Sequence, residues 1–209
     1  MSNYVENGNA DGRFHCNKEK GNIFLIGDSI REGYCKTVKK ELSDVAEVFY
    51  IGDNCRHTQN VITSLRSWAM SFVDRDYVNI VQFNCGHWDV AHWNGYETSL
   101  TSPEEYAKNI KMIIYIIKKY FVNAKIVFAT TTPMNPTGEQ GVNPRSTEEI
   151  IEYNKIAKKA IEGEDVILND LYEFTREWGS ESYEDYCHYT KENFEILGKE
   201  VARKLRELL

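Results

Sequence analysis

A serine stands in Gly27-Asp28-Ser29-Ile30, directly after a short apolar run, and a histidine near the other end of the chain follows an aspartate by three residues in Asp185-Tyr186-Cys187-His188. A serine hydroxyl is a weak nucleophile at neutral pH. It needs a base within hydrogen-bond reach and a third group that holds the base in its useful tautomer. Ser29, His188 and Asp185 are the residue types for those three roles. Each piece alone has a plainer reading: Asp28 or Ser29 can simply cap a helix, and a lone loop histidine is commonly structural. The other histidines are His15 near the N-terminus, His57, His87 and His92. They lack H-E-x-x-H or comparable ligand spacing, so no metal is expected and they read as pocket-lining or structural. Neither G-x-G-x-x-G nor G-x-x-x-x-G-K-[ST] occurs; Gly27 and Gly33 do not make such a loop, and no nucleotide cofactor is implied.

The elements that must position these residues alternate. Short runs rich in Val, Ile, Phe and Tyr predict strands at Asn22–Ile26, Ala46–Ile51, Tyr77–Phe83, Ala124–Ala129 and Asp165–Leu168. Between them lie helical spacings: Ile30, Tyr34, Val38 and Leu42 after the first run, then Val61, Leu65, Trp68, Ala69 and Phe72 after the second. Start signals mark three more helices. Ser102-Pro103-Glu104-Glu105 and Ser146-Thr147-Glu148-Glu149 are capping-box patterns, and Thr190 can cap a last helix carrying Phe194, Leu197, Val201, Leu205 and Leu208. Strict alternation requires right-handed crossovers, so the expectation is a three-layer α/β/α domain on a five-stranded parallel sheet. Ligands of such folds sit beyond the carboxyl ends of the strands. Ser29 occupies that place after the first strand, at a helix start whose free N–H groups favour anions.

With 209 residues, 42% hydrophobic and 27% charged, the chain fits one domain. The domain reading is 22–209, preceded by a polar N-terminal arm over 1–21 that lacks an apolar h-region. No run approaches the roughly 18 apolar residues of a membrane span. The net charge of -7, with basic residues scattered among acidic ones, leaves no footprint for nucleic acid; a small neutral or cationic molecule suits it better. Five cysteines without a C-x-x-C pair point to reduced thiols and a cytoplasmic location.

Gly27-Asp28-Ser29-Ile30 and Asp185-Tyr186-Cys187-His188, at opposite ends of this pattern, resemble blocks I and V of the SGNH (GDSL-like) hydrolases. The resemblance implies a flavodoxin-like sheet and a serine esterase that works without a cofactor, with Ser29, Asp185 and His188 as the catalytic set. The middle blocks depart from the family. Block II supplies a glycine whose N–H binds the oxyanion, and here the stretch reads Asp53-Asn54-Cys55-Arg56-His57-Thr58, leaving the N–H of Cys55 or Arg56 as the donor beside that of Ser29. Block III is G-x-N-D, and here Gly86-His87-Trp88-Asp89 puts Trp88 at the asparagine, so Asn84 is the expected substitute. Trp88, Trp93 and Tyr96 are expected to line the crevice, where their rings would suit an acylated sugar; a short-chain acyl ester is the broader expectation. The alternative is a non-catalytic carbohydrate- or phospholigand-binding domain of the same fold.

Overall fold

The computed structural model describes residues 12–209. Its five strands are β1 (Gly21–Ile26), β2 (Ala46–Tyr50), β3 (Ile80–Phe83), β4 (Lys125–Ala129) and β5 (Val166–Asn169). They form one all-parallel sheet in the order β2-β1-β3-β4-β5. That order places the switch of direction between β1 and β3, where doubly wound sheets open their ligand crevice. The central strands are buried on both faces, which is why they read as continuous apolar runs rather than alternating ones.

Six helices connect and cover the sheet: α1 (Ser29–Glu41), α2 (Thr58–Met70), α3 (Pro103–Tyr120), α4 (Thr147–Ile161), the short α5 (Leu171–Thr175) and α6 (Lys191–Arg206). The expected caps are in place. Ser102 accepts from the Glu105 N–H, Ser146 and Glu149 close a full capping box, and Thr190 accepts from Asn193 N–H. Buried Val61, Leu65, Ile110, Ile113 and Ala157 carry α2, α3 and α4 onto one face of the sheet, and Tyr34, Val38, Leu197 and Val201 carry α1 and α6 onto the other. A side chain at Gly198 would start 2.6 Å from Thr37 Cβ, so the absence of one lets α1 and α6 pack closely. The sequence reading missed α5, a single turn after β5, because five residues are too few to show a period.

The arm expected over 1–21 falls in two parts. Residues 1–11 lie outside the described residues, and the following segment is held to the domain through Phe14. That ring is fully buried, its backbone exchanges hydrogen bonds of 2.9 Å with Ser71 O and Val73 N, and it packs on Phe24, Phe49 and Phe72. A polar surrounding sequence hid this anchor. All five cysteines are buried unpaired thiols, and among the described residues no helix is long and apolar enough to cross a membrane.

Candidate functional site

The strand-to-helix corner after β1 is built around two close contacts. A Cβ on Gly27 would lie 2.0 Å from Asn84 Oδ1 and 2.8 Å from Arg31 Cβ, so only glycine fits. Asp28 is the cap of α1, its Oδ1 accepting from Ile30 N–H at 3.1 Å and from Asn84 Nδ2 at 3.0 Å. Ser29 is thereby the first helical residue, and its N–H has no intrahelical acceptor. Arg31, almost fully buried, ties the corner to its neighbours: Nε and Nη2 donate to Gly27 O at 3.3 and 3.1 Å, Nη1 to Ile51 O at 2.7 Å, and Nη2 to Asp53 O at 2.6 Å. Sequence reasoning passed over Arg31. The signal was its position three, four and seven residues before Tyr34, Cys35 and Val38, on the buried stripe of α1.

The second half of the site is the loop between α5 and α6. It is folded back by a Tyr183–Tyr189 bridge and by Glu184 N–H donating to His188 O at 2.8 Å. Asp185 Oδ1 accepts from the N–H groups of Cys187 and His188 at 2.8 and 2.7 Å, and its Oδ2 lies 2.7 Å from His188 Nδ1. His188 Nε2 in turn lies 2.7 Å from Ser29 Oγ, across 159 positions of sequence. Partial burial raises the Asp185 carboxyl, but the Cys187 N–H and the His188 side chain outweigh it and hold it below the usual carboxylate range. An ionised Asp185 accepts a hydrogen bond from Nδ1–H and so keeps the proton on Nδ1, which leaves Nε2 as the acceptor facing the Ser29 hydroxyl. This arrangement can turn an alcohol oxygen into a nucleophile. The same loop brings ligand atoms of Asp185, Cys187 and His188 within 4.8 Å of one another, the one such cluster among the described residues. Its carboxylate and imidazole are already turned to each other, and burial pushes the Cys187 thiol up to about 12.

The expected oxyanion donors fare differently. Cys55 N–H donates to Gly27 O at 3.0 Å, so it is committed to joining the β2 loop to the corner and is not an open donor; a backbone group needed for that join cannot also face substrate. Arg56, at φ 59°, donates its N–H to Asn54 Oδ1, 2.8 Å away. Asn84 is buried and gives one of its two amide N–H groups to Asp28, which makes it a brace for the cap. Trp88 is half-buried, with the Trp93 ring 5.3 Å away at 31° and the Arg56 guanidinium 5.9 Å from its centroid; Trp93 and Tyr96 are exposed. The remaining histidines after the strands have local duties. His57 caps α2, His92 sits 2.6 Å from Glu149, and buried His87 contacts Thr132 Oγ1 at 3.2 Å, with burial and then Arg145 holding its pKa well below the usual value.

Asp89 anchors the loop after β3. It is fully buried and accepts from the Thr58 hydroxyl at 2.6 Å and from Thr58 N–H at 3.1 Å, joining this loop to the start of α2. Burial outweighs these bonds and pushes its carboxyl up to about 6. An acid whose folded pKa is raised stabilises the fold fully below its unfolded pKa, and that contribution is lost as pH rises through the folded value. A rise of about two units corresponds to roughly 3 kcal/mol. The Asp89→Asn variant cannot titrate. Its melting temperature relative to the parent is therefore expected to rise between pH 4 and pH 7, by roughly 6–12 °C; a difference that stays flat across this range would refute the assignment.

No family model matches this chain, and no curated protein matches it in sequence. Solved structures do. Est24, a carbohydrate acetylesterase from Sinorhizobium meliloti, superposes with a TM-score of 0.73 at 16% identity, covering 91% of this chain and 100% of its own. The acetyl xylan esterase AlAXEase gives 0.69 at 18% identity over 88% and 99% of the two chains. A lipase/acylhydrolase from Enterococcus faecalis gives 0.68 at 19%, over 90% and 96%. With a five-stranded parallel sheet in the flavodoxin-like order, covered by helices on both faces and superposing on these enzymes almost end to end, the chain has the SGNH hydrolase fold.

Proposed function

We propose that this protein is a carboxylic ester hydrolase that works through an acyl-enzyme on Ser29. The observation that carries the reading is the continuous relay from Asp185 Oδ2 to His188 Nδ1 and from His188 Nε2 to Ser29 Oγ, 2.7 Å at each step. In the cycle, Nε2 takes the Ser29 proton as Oγ bonds to the ester carbonyl carbon. The carbonyl oxygen becomes an oxyanion that receives the Ser29 N–H at the start of α1, joined by the Arg56 N–H when that group exchanges Asn54 Oδ1 for the oxyanion. The imidazolium, stabilised by Asp185, gives its proton to the departing alcohol oxygen. Water then loses a proton to Nε2 and attacks the acyl carbon, and the released Ser29 oxygen recovers that proton as the acid leaves.

The substrate we assign is a short-chain acyl ester of a sugar. Trp88 offers a ring face to the Arg56 guanidinium on the loop after β2, which is itself hydrogen-bonded to the Ser29 corner; the Trp93 ring lies beside that of Trp88, and Tyr96 belongs to the same segment between β3 and α3. The similarity in fold to a carbohydrate acetylesterase and an acetyl xylan esterase supports the same choice. The five unpaired thiols favour a reducing, cytoplasmic setting. Incubation with a fluorophosphonate and peptide mapping tests the reading. A single adduct on Ser29, competed by an acetylated sugar, is expected. No adduct, or one on another residue, would sink it.

A further inference from the structure

Between β4 and α4 the chain runs through residues 130–146 without a regular element, and this stretch lies against the loop that carries Asp185 and His188. Asn135 holds it twice, its N–H donating to Tyr186 O and its Nδ2 to Asp185 O, both at 2.9 Å. Gly138 passes so close that a Cβ there would lie 2.8 Å from Tyr186 Cα. The last contact is made by Arg145, which is only 7% exposed. Its Nη1 donates to His87 O, its Nη2 donates to the Tyr186 hydroxyl at 3.2 Å, and its guanidinium carbon lies 5.3 Å from the centre of the Tyr186 ring. The Tyr186 ring in turn meets the His188 imidazole edge to face, 6.1 Å between centres at 71°.

Among the described residues no carboxylate forms an ion pair with Arg145, and its Nε has no hydrogen-bond partner. A buried guanidinium without a counter-ion is a poor stabiliser, and an apolar side chain of similar volume would fill the space at less expense in desolvation. Its contacts instead form a chain, from the β3 loop through Arg145 to Tyr186 and on to His188. We infer that Arg145 is a positioning residue: it clamps Tyr186, and through that ring holds the imidazole at the distance that lets Nε2 reach Ser29. This inference rests on the esterase reading above.

The test is a double-mutant cycle on the full chain with Arg145→Met, Tyr186→Phe and the combination. Steady-state hydrolysis of p-nitrophenyl acetate and the rate of fluorophosphonate labelling are followed well below the lowest melting temperature. Each single variant is expected to lower both kcat and the labelling rate by about 10- to 100-fold, as displacement of a reacting group does. KM should stay within about twofold, and the double variant should be no slower than the slower single, because both act through one contact. Additive losses, a change in KM alone, or single variants that differ from the parent only in melting temperature would overturn the inference; a change in KM alone would reassign Arg145 to substrate binding. Should Arg145→Met fail to fold, Tyr186→Phe, which removes one hydroxyl, decides alone. A parent that takes no label defeats the esterase reading and this inference with it, whereas a labelled parent with unaffected variants defeats only this one.

Discussion

Replacement of Ser29 by alanine is expected to slow hydrolysis of p-nitrophenyl acetate by at least about 10⁴-fold at neutral pH, the scale seen when a nucleophile acting as one unit with its base is removed. The reason is local. Ser29 Oγ is the atom 2.7 Å from His188 Nε2, and the side chain is the first of α1, so its loss removes the attacking oxygen while the cap at Asp28 and the helix remain. His188→Ala should lose a similar amount, and the double variant little more than either single, since base and nucleophile contribute only together. Thermal unfolding provides the control: the Ser29→Ala melting temperature should match the parent. Steady-state rates within tenfold of the parent, roughly 1.4 kcal/mol of barrier, would remove Ser29 from the mechanism.

Arg31→Met is expected to lower stability by about 2–4 kcal/mol, the scale for buried carbonyls that lose a charged donor. Three carbonyls, those of Gly27, Ile51 and Asp53, receive this guanidinium; Gly27 O keeps the Cys55 N–H when it is removed, whereas Ile51 O and Asp53 O lose this donor. Methionine keeps most of the volume, so the loss reports the hydrogen bonds rather than a cavity. In a chain of this size the melting temperature should fall by roughly 4–16 °C. The same three carbonyls belong to the β1 corner and the loop after β2, so esterase activity should decline in parallel, as the Ser29 corner loosens. A variant that melts within 2 °C of the parent, less than about 1 kcal/mol, would contradict this account.

Much of the architecture was legible because it follows from local rules. A capping box at Ser146 and a serine–proline start at Ser102 announce helices through hydrogen bonds made within four residues; the box at Ser146 closed fully, while at Ser102 the serine caps the helix without the expected return bond from Glu105. Strands β1 and β4 were visible as apolar runs because both of their faces are covered. The strand expected over Tyr77–Phe83 is shorter: Arg75–Tyr77 form a 3₁₀ turn and pairing begins at Ile80. Only partner strands decide where a ladder starts, and that is not written in local composition.

The chain by itself determined the residue types, their order, and the ends of the sheet at which Ser29 and the Asp185–His188 pair emerge, since alternation of strand and helix dictates crossover and crossover dictates the crevice. The tertiary structure alone decided which donors stay open. Whether the N–H of Cys55 is free, whether the Asn84 amide reaches Asp28, and which loop receives the guanidinium of Arg31 or Arg145 depend on carbonyls and carboxylates brought together from positions far apart in sequence. A buried polar group takes the partner that packing places within about 3 Å, and no sequence motif carries that distance.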